Sequence, residues 1–411
     1  MDVLITPGPL AGTVTPPPSK SIAHRAILAA ALTNGTSTIQ NVALSQDIEA
    51  TLRCISALGG AWEREGDSLR VSGVWHREWD TAALPHLDCG ESGSTLRFLI
   101  PLALTLNNGG VFTGRGRLME RPQQPYFDIF DEKGISYEQK DGVLTIQGEW
   151  NAGEYRLPGN VSSQFITGLL YALPLMEWES RIVLTSPLES RGYVDMTLDV
   201  LKDFGITIEN QNYERFLVPG DQWCTARDYT IEADWSQAAF WLAAGSLGNP
   251  VLTTDLNDQS IQGDRVIDEH FASFAWGTGQ TVEIDVSDCP DLVPPLAAMA
   301  ALRNGYTTYM GNAARLRMKE SDRLTTVAQT LNALGAQVEE GPDFLKIRGR
   351  DGLTGGVTVD CCNDHRIAMM AAVAATRCAE PVTLLGAECV SKSYPNFWEE
   401  YKRLGGKFDV L

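Results

Sequence analysis

The chain repeats itself at long range, and the repeat limits what it can fold into. The stretch SQDIEATLRCISALGGAWEREGDSLRVSGV from Ser45 and the stretch ERPQQPYFDIFDEKGISYEQKDGVLTIQG from Glu120 follow one plan. Each has a polar helix start, apolar residues at helical spacing, a glycine-bounded stop, and two short alternating strands around a turn such as Asp141-Gly142. The plan returns at SRGYVDMTLDVLKDFGITIENQNYERFLVPG from Ser190 and at KESDRLTTVAQTLNALGAQVEEGPDFLKIRG from Lys319. Weaker copies are QGDRVIDEHFASFAW from Gln262 and SKSYPNFWEEYKRLGG from Ser391. Successive copies stand roughly seventy residues apart, too far for an ordinary solenoid unit.

A second class of helix lies between the copies and is almost wholly apolar. Its members are SKSIAHRAILAAALTNG, SGSTLRFLIPLALTLNNG, SSQFITGLLYALPL, DWSQAAFWLAAGSLG, DLVPPLAAMAALRNG and DHRIAMMAAVAATRC. Helices of this composition sit inside a domain. Six of them alternating with six amphipathic helix-plus-hairpin copies predict an α/β fold of six βαβαββ-type units. One unit cannot enclose its own apolar helix, so three units per domain is the economical grouping, and 411 residues are enough for two such domains. The expected division is a discontinuous domain of residues 1–16 and 228–411 and an inserted domain of residues 17–227, the return crossing falling near Trp223 to Asp228.

Polar clusters gather at the starts of these helices, where unpaired N–H groups and the positive end of the peptide dipoles favour anions. In PPPSKSIAHRAILAAAL, Ser19 is placed to cap, and Lys20, Ser21 and Arg25 can close around one anion. DCGESGSTLRF and GNVSSQF offer small residues and hydroxyl donors at Gly93, Ser94, Ser162, Ser163 and Gln164, although serine capping alone would account for part of each. Arg121 offers a bidentate clamp for a carboxylate, with Arg115 and Arg117 as rivals. Asp288 and Asp291 precede one apolar helix, where a cap needs one acid rather than two. Asp364, His365 and Arg366 precede another, and Lys392 stands near the end. LRMKESDRL, from Leu316 to Leu324, is the densest cluster of all. Arginine and lysine at helix starts go against the simple dipole preference, as a convergent anion site would require.

The balance of 33 basic against 52 acidic residues, a formal charge of −19, argues against nucleic acid or an anionic membrane as partner. Eight cysteines fit no zinc spacing, and the positive side chains already supply what an anionic substrate needs, so neither metal nor other cofactor is expected. The run Phe98 to Leu106 contains Pro101 and is about half a membrane span. With no signal peptide in view, the expectation is a reduced, cytoplasmic setting.

The set PPPSKSIAHRA, DCGESGSTLRF, ERP, LPGNVSSQF, KESDRL, DHRIAM and SKSYPNFWEEY resembles the 5-enolpyruvylshikimate-3-phosphate synthases, and it runs from Lys20 to Lys392 in the family order. The resemblance implies a two-domain, inside-out α/β fold, each domain threefold, closing on substrate. It implies transfer of the enolpyruvyl group of phosphoenolpyruvate to the 5-hydroxyl of shikimate 3-phosphate, through a tetrahedral intermediate, by a monomer that glyphosate could inhibit. Carried over by position, Lys20, Ser21, Arg25, Ser162, Ser163, Gln164, Ser190, Tyr193, Asp291 and Lys319 would bind shikimate 3-phosphate. Lys20, Gly93, Arg121, Gln164, Arg323, Arg366 and Lys392 would bind phosphoenolpyruvate, and Asp291, Glu320 and Lys20 would handle protons. The chain departs from the pattern at Glu91-Ser92-Gly93-Ser94, where many bacterial members have Asn-Ala-Gly-Thr, and at Arg315, where some have Asn. Two alternatives are a UDP-N-acetylglucosamine enolpyruvyl transferase and a non-catalytic phosphometabolite-binding protein. The first usually has a reactive cysteine ahead of the clamp arginine, and FTGRGRLMERP has none. The second would have no use for both Asp291 and Glu320.

Overall fold

The computed structural model describes residues 1–74, 83–276 and 280–411. The chain forms two compact units, Met1–Pro17 with Ala233–Leu411, and Pro18–Glu232. The return crossing follows Glu232 rather than residue 227 because the short strand Tyr229–Thr230 pairs in parallel with Thr36–Gln40 and so stays with the inserted unit.

Twelve α-helices alternate in character along the described residues. The inserted unit holds α1 (Lys20–Ala31), α2 (Gln46–Ala57), α3 (Gly93–Asn107), α4 (Gln124–Lys133), α5 (Ser163–Ala172) and α6 (Arg191–Asp203). The discontinuous unit holds α7 (Trp235–Ser246), α8 (Ile267–Trp276), α9 (Val293–Ala301), α10 (Arg323–Ala333), α11 (His365–Ala375) and α12 (Phe397–Arg403). Odd-numbered helices are the apolar ones, and all nine residues of α9 and all eleven of α11 are buried. Even-numbered helices bury one stripe, as α2 does with Ile48, Leu52 and Ile55. Each unit has its own apolar core. None of the described helices is long and apolar enough to cross a membrane.

The repeated sheet is clearest in the second copy. Gly109–Thr113 pairs in parallel with His86–Asp88 across α3, and antiparallel with Val143–Gln147, whose other partner is Ser136–Lys140. The last two strands form a hairpin with Lys140 opposite Val143, and Asp141 and Gly142 both take positive φ, as a two-residue turn of this hand requires. The same four-strand order recurs around Ser180–Leu184 and Thr307–Gly311.

Two copies are completed by distant segments. Tyr229–Thr230 supplies the first strand of the first sheet, and Val3–Thr6 fits between Val382–Leu385 and Lys407–Val410 in the last. The expectation of six hairpins fails at the Gln262 copy. Its helix α8 ends at Trp276 and the next strand, Thr281–Asp285, belongs to the following sheet, which leaves too little chain for a hairpin; residues 277–279 lie outside the described residues. Among the described residues that copy has a two-stranded sheet, Val251–Thr253 with Gly12–Val14.

Candidate active site

In the inserted unit, Pro16 to Pro18 deliver Ser19, whose hydroxyl caps α1 by accepting from the Ile22 N–H at 3.4 Å. Lys20 Nζ pairs with Asp47 Oδ2 at 2.7 Å, an acid from the first turn of α2. Arg25 is 2% exposed. Its Nη1 donates to the Ser21 carbonyl at 2.7 Å, Nη2 to the Tyr193 carbonyl at 2.9 Å and Nε to Thr197 Oγ1 at 2.9 Å. The guanidinium also lies over the Phe98 and Tyr193 rings. All these acceptors are neutral, and among the described residues no carboxylate pairs with Arg25. Burial therefore lowers its pKa to about 10. A cation buried without a counter-charge is a ready partner for a phosphate. Ser190 heads α6 with φ 57°, a conformation uncommon for a residue other than glycine, and its carbonyl accepts from the Tyr193 N–H.

Ser92 caps α3 and Ser162 caps α5, so capping does explain part of both serine clusters. The neighbouring residues do something else. Gln164 Nε2 donates to Ser94 Oγ at 3.0 Å and Gln164 Oε1 accepts from Arg97 Nη1 at 2.9 Å, which fixes the amide. Arg97 is 4% exposed and also donates to the Pro122 carbonyl at 3.1 Å. Sequence reasoning passed over Arg97; the available signal was a lone charge inside an otherwise apolar helix. It likewise passed over Asp47.

Arg121 is 8% exposed and its guanidinium rests on Gly93. A Cβ on Gly93 would stand 2.6 Å from Arg121 Nη1, far inside contact distance. Gly93→Ala is therefore expected to displace that guanidinium and, with Arg121 as the phosphoenolpyruvate clamp that the resemblance implies, to raise KM for phosphoenolpyruvate about tenfold or more, since a shift on the order of 1 Å in a positioning group can cost about 100-fold. Shikimate 3-phosphate affinity should barely change; steady-state kinetics with calorimetry checks both.

In the discontinuous unit the cluster LRMKESDRL separates into two groups. Arg317 and Asp322 are structural: Arg317 Nη1 pairs with Asp322 Oδ2 and with Glu340 Oε1, each at 2.9 Å, and Asp322 caps α10. Arg323, 1% exposed, gathers acids instead. Its Nη1 reaches Asp291 Oδ1 at 2.7 Å, Nη2 reaches Glu320 Oε2 at 2.7 Å, and Nε reaches Asp364 Oδ2 at 2.8 Å. Against the cost of burial, Asp364, Glu320 and Asp291 together raise its pKa. Asp291 also meets Lys319 Nζ at 3.2 Å and Arg366 Nη2 at 3.3 Å. Burial lowers the pKa of Lys319 despite that partner. Asp291 is not the cap of α9, and Asp288 is exposed. Asp364 does cap α11, accepting from the Arg366 N–H at 3.0 Å. Lys392, 4% exposed, donates to the Asn363 carbonyl at 2.7 Å, which ties it to the same turn. Arg315 is 8% exposed and donates to the Ser287 carbonyl.

Asp264, in the Gln262 copy, is a further buried acid that sequence reasoning did not select. The Ser236 hydroxyl donates to its Oδ2, its Oδ1 has no hydrogen-bond partner, and burial followed by the charge on Asp291 raises its pKa to about 7. An acid whose pKa rises on folding binds an extra proton in the folded state between its unfolded value and about 7. Its contribution to stability is thus complete below the unfolded pKa and is lost as pH rises through 7. Asp264→Asn should remove that slope, at most about 1.4 kcal/mol per pH unit, so that the variant gains on the parent chain from pH ~4.5 to ~7. Urea denaturation at several pH values measures the difference.

A family model described as EPSP synthase (3-phosphoshikimate 1-carboxyvinyltransferase) matches residues 5–401. The 3-phosphoshikimate 1-carboxyvinyltransferase of Clostridium acetobutylicum is 48% identical over 418 residues, covering 98% of this chain and 97% of that protein. The one from Clostridium novyi is 45% identical, covering 99% and 98%. Among solved structures, EPSP synthase from Acinetobacter baumannii superposes with a TM-score of 0.79 at 24% identity, covering 100% of this chain and 99% of that one. The enolpyruvyl transferase NikO from Streptomyces tendae gives 0.78 at 17% identity, covering 99% and 98%. At those identities the two structures speak for the fold alone.

Proposed function

Since the chain belongs to the EPSP synthase (3-phosphoshikimate 1-carboxyvinyltransferase) family, it is an enzyme that transfers the enolpyruvyl group of phosphoenolpyruvate to shikimate 3-phosphate, and we propose how its residues divide that work. The reaction is a step of the shikimate pathway, towards chorismate and the aromatic amino acids. Arg25, buried among neutral acceptors, takes the phosphate of shikimate 3-phosphate together with Lys20 and Ser21. Ser162, Ser163, Ser190 and Tyr193 complete that site, and Gln164, held by Arg97 and Ser94, lies against the ring. Lys20, Gly93, Arg121, Gln164, Arg323, Arg366 and Lys392 bind phosphoenolpyruvate.

The observation that carries the chemistry is one guanidinium holding Asp291 and Glu320 at 2.7 Å each. The reaction needs two proton-handling groups. As the 5-hydroxyl of shikimate 3-phosphate attacks C2 of phosphoenolpyruvate, its proton passes to Asp291 and C3 gains a proton from Glu320 or Lys20. The tetrahedral intermediate then loses a C3 proton to the same group as the C2–O bond to phosphate breaks, which restores the double bond and releases phosphate. Lys319 binds beside Asp291, and the developing charge on the departing phosphate is met by arginines and lysines already fixed in place. The enzyme works in the cytoplasm as a monomer without metal or cofactor.

Isotope-labelled phosphoenolpyruvate incubated with shikimate 3-phosphate, and separately with UDP-N-acetylglucosamine, tests the reading. Label should pass to the first acceptor alone; transfer to the uridine sugar, or to neither, would overturn it.

A further inference from the structure

The copy without a hairpin leaves a cavity that its counterpart in the other unit lacks. In the inserted unit, the ends of α1, α2 and α3 close on one another through Leu32, Leu58, Leu102 and Leu106, with Val74 at the end of the following hairpin, and only about 10 Å³ stays open. The matching helices α7, α8 and α9 leave between them a pocket of about 400 Å³ that opens to solvent, lined by Leu247, Phe271, Phe274, Met299 and Leu302 and by two arginines, Arg303 and Arg377. That volume is within the range of small-molecule sites.

Arg377 has a structural contact, and Arg303 keeps one N–H group that its protein contacts do not use. Arg377 Nη1 donates to the Leu247 carbonyl at 2.7 Å and so closes the end of α7. Arg303 lies over the Tyr306 ring, 3.7 Å from its centroid, and near Phe274 at 5.4 Å, which fixes its plane. Its Nη1 is buried with no hydrogen-bond partner. Among the described residues neither arginine pairs with a carboxylate, although the chain has 52 acidic residues to 33 basic ones. A half-buried guanidinium, Arg303, with the exposed Arg377 beside it favours an anion, and the apolar part of the lining favours one with an apolar body.

We propose that this cavity binds a small carboxylate with an aromatic or branched apolar body, its carboxylate meeting Arg303 and Arg377 and its body meeting Phe271, Phe274, Met299 and Leu302. A planar carboxylate matches the guanidinium fork, and a bare phosphate would leave the apolar lining unused. The cavity is distinct from the chemistry. It lies at the C-terminal ends of α7 and α9 and just beyond α11, whereas the acid cluster lies at the N-terminal ends of α9, α10 and α11, roughly 15 Å away at 1.5 Å per residue.

Calorimetric titration with 3-phenylpropionate tests this, run in an equilibrated mixture of substrates and products that keeps the active site filled. One saturable equivalent should bind, 3-phenylpropionamide should bind about tenfold more weakly or worse, and Arg303→Gln should weaken the acid by about tenfold or more. Should that variant fail to fold, Arg377→Gln, at an exposed position, gives the same comparison. No saturable binding, equal binding of the amide, binding only when the active site is empty, or undiminished binding in both variants would each overturn the proposal.

Discussion

Glu320→Gln is expected to slow turnover about 100-fold or more while shikimate 3-phosphate binds almost as before. Glutamine keeps the size of the side chain, and its oxygen can still accept from Arg323 Nη2, which now holds Glu320 Oε2 at 2.7 Å. What it loses is the proton. An effect of that size in turnover with little in binding is the signature of a group acting in the transition state rather than in ground-state association. Rapid-quench turnover with C3-tritiated phosphoenolpyruvate, beside calorimetric binding of each substrate, separates the two. Near-normal turnover and tritium exchange in a folded variant would remove Glu320 from the proton chemistry and leave Lys20 to supply the C3 proton.

Arg323→Ala is expected to cost about 3–5 kcal/mol of stability as well as phosphoenolpyruvate affinity. Asp364 is fully buried and Asp291 and Glu320 are partly so; removing the shared cation leaves the buried Asp364 carboxylate with the Ser321 hydroxyl and the Arg366 N–H as donors but no cation of its own, while Asp291 keeps Lys319 and Arg366. Six residues earlier, Arg317 makes two ion pairs of comparable length but is about a third exposed. Its alanine variant should lose no more than about 1 kcal/mol, because water and salt screen an exposed pair. Urea denaturation of the two variants side by side decides the matter: equal losses would mean that Arg323 organises nothing that Arg317 does not. Arg323→Lys should recover only part of the loss, since one ammonium cannot span three carboxylates in the directions a guanidinium does.

The alternation of apolar and amphipathic helices, the Asp141-Gly142 turn, the cap at Ser19 and the polar helix starts were all legible in the sequence. Each depends on residues within a few positions of one another, and local periodicity and capping chemistry act at that range. The ordered motifs from Lys20 to Lys392 made the family legible too. Tertiary structure alone decided the rest. Nothing near Val3–Thr6 says that it will pair with strands almost 400 residues away, or that Tyr229–Thr230 will close the first sheet. The missing fourth hairpin depends on where the next strand finds its partner. Within LRMKESDRL, Arg317 and Arg323 look alike as letters. One braces a turn in partial contact with water and the other is sealed among Asp291, Glu320 and Asp364, because the acids that surround Arg323 come from segments 32 and 41 residues away as well as from its own. Burial and charge pairing are set by those distant neighbours, and they make one arginine a surface brace and the other the centre of the acid cluster.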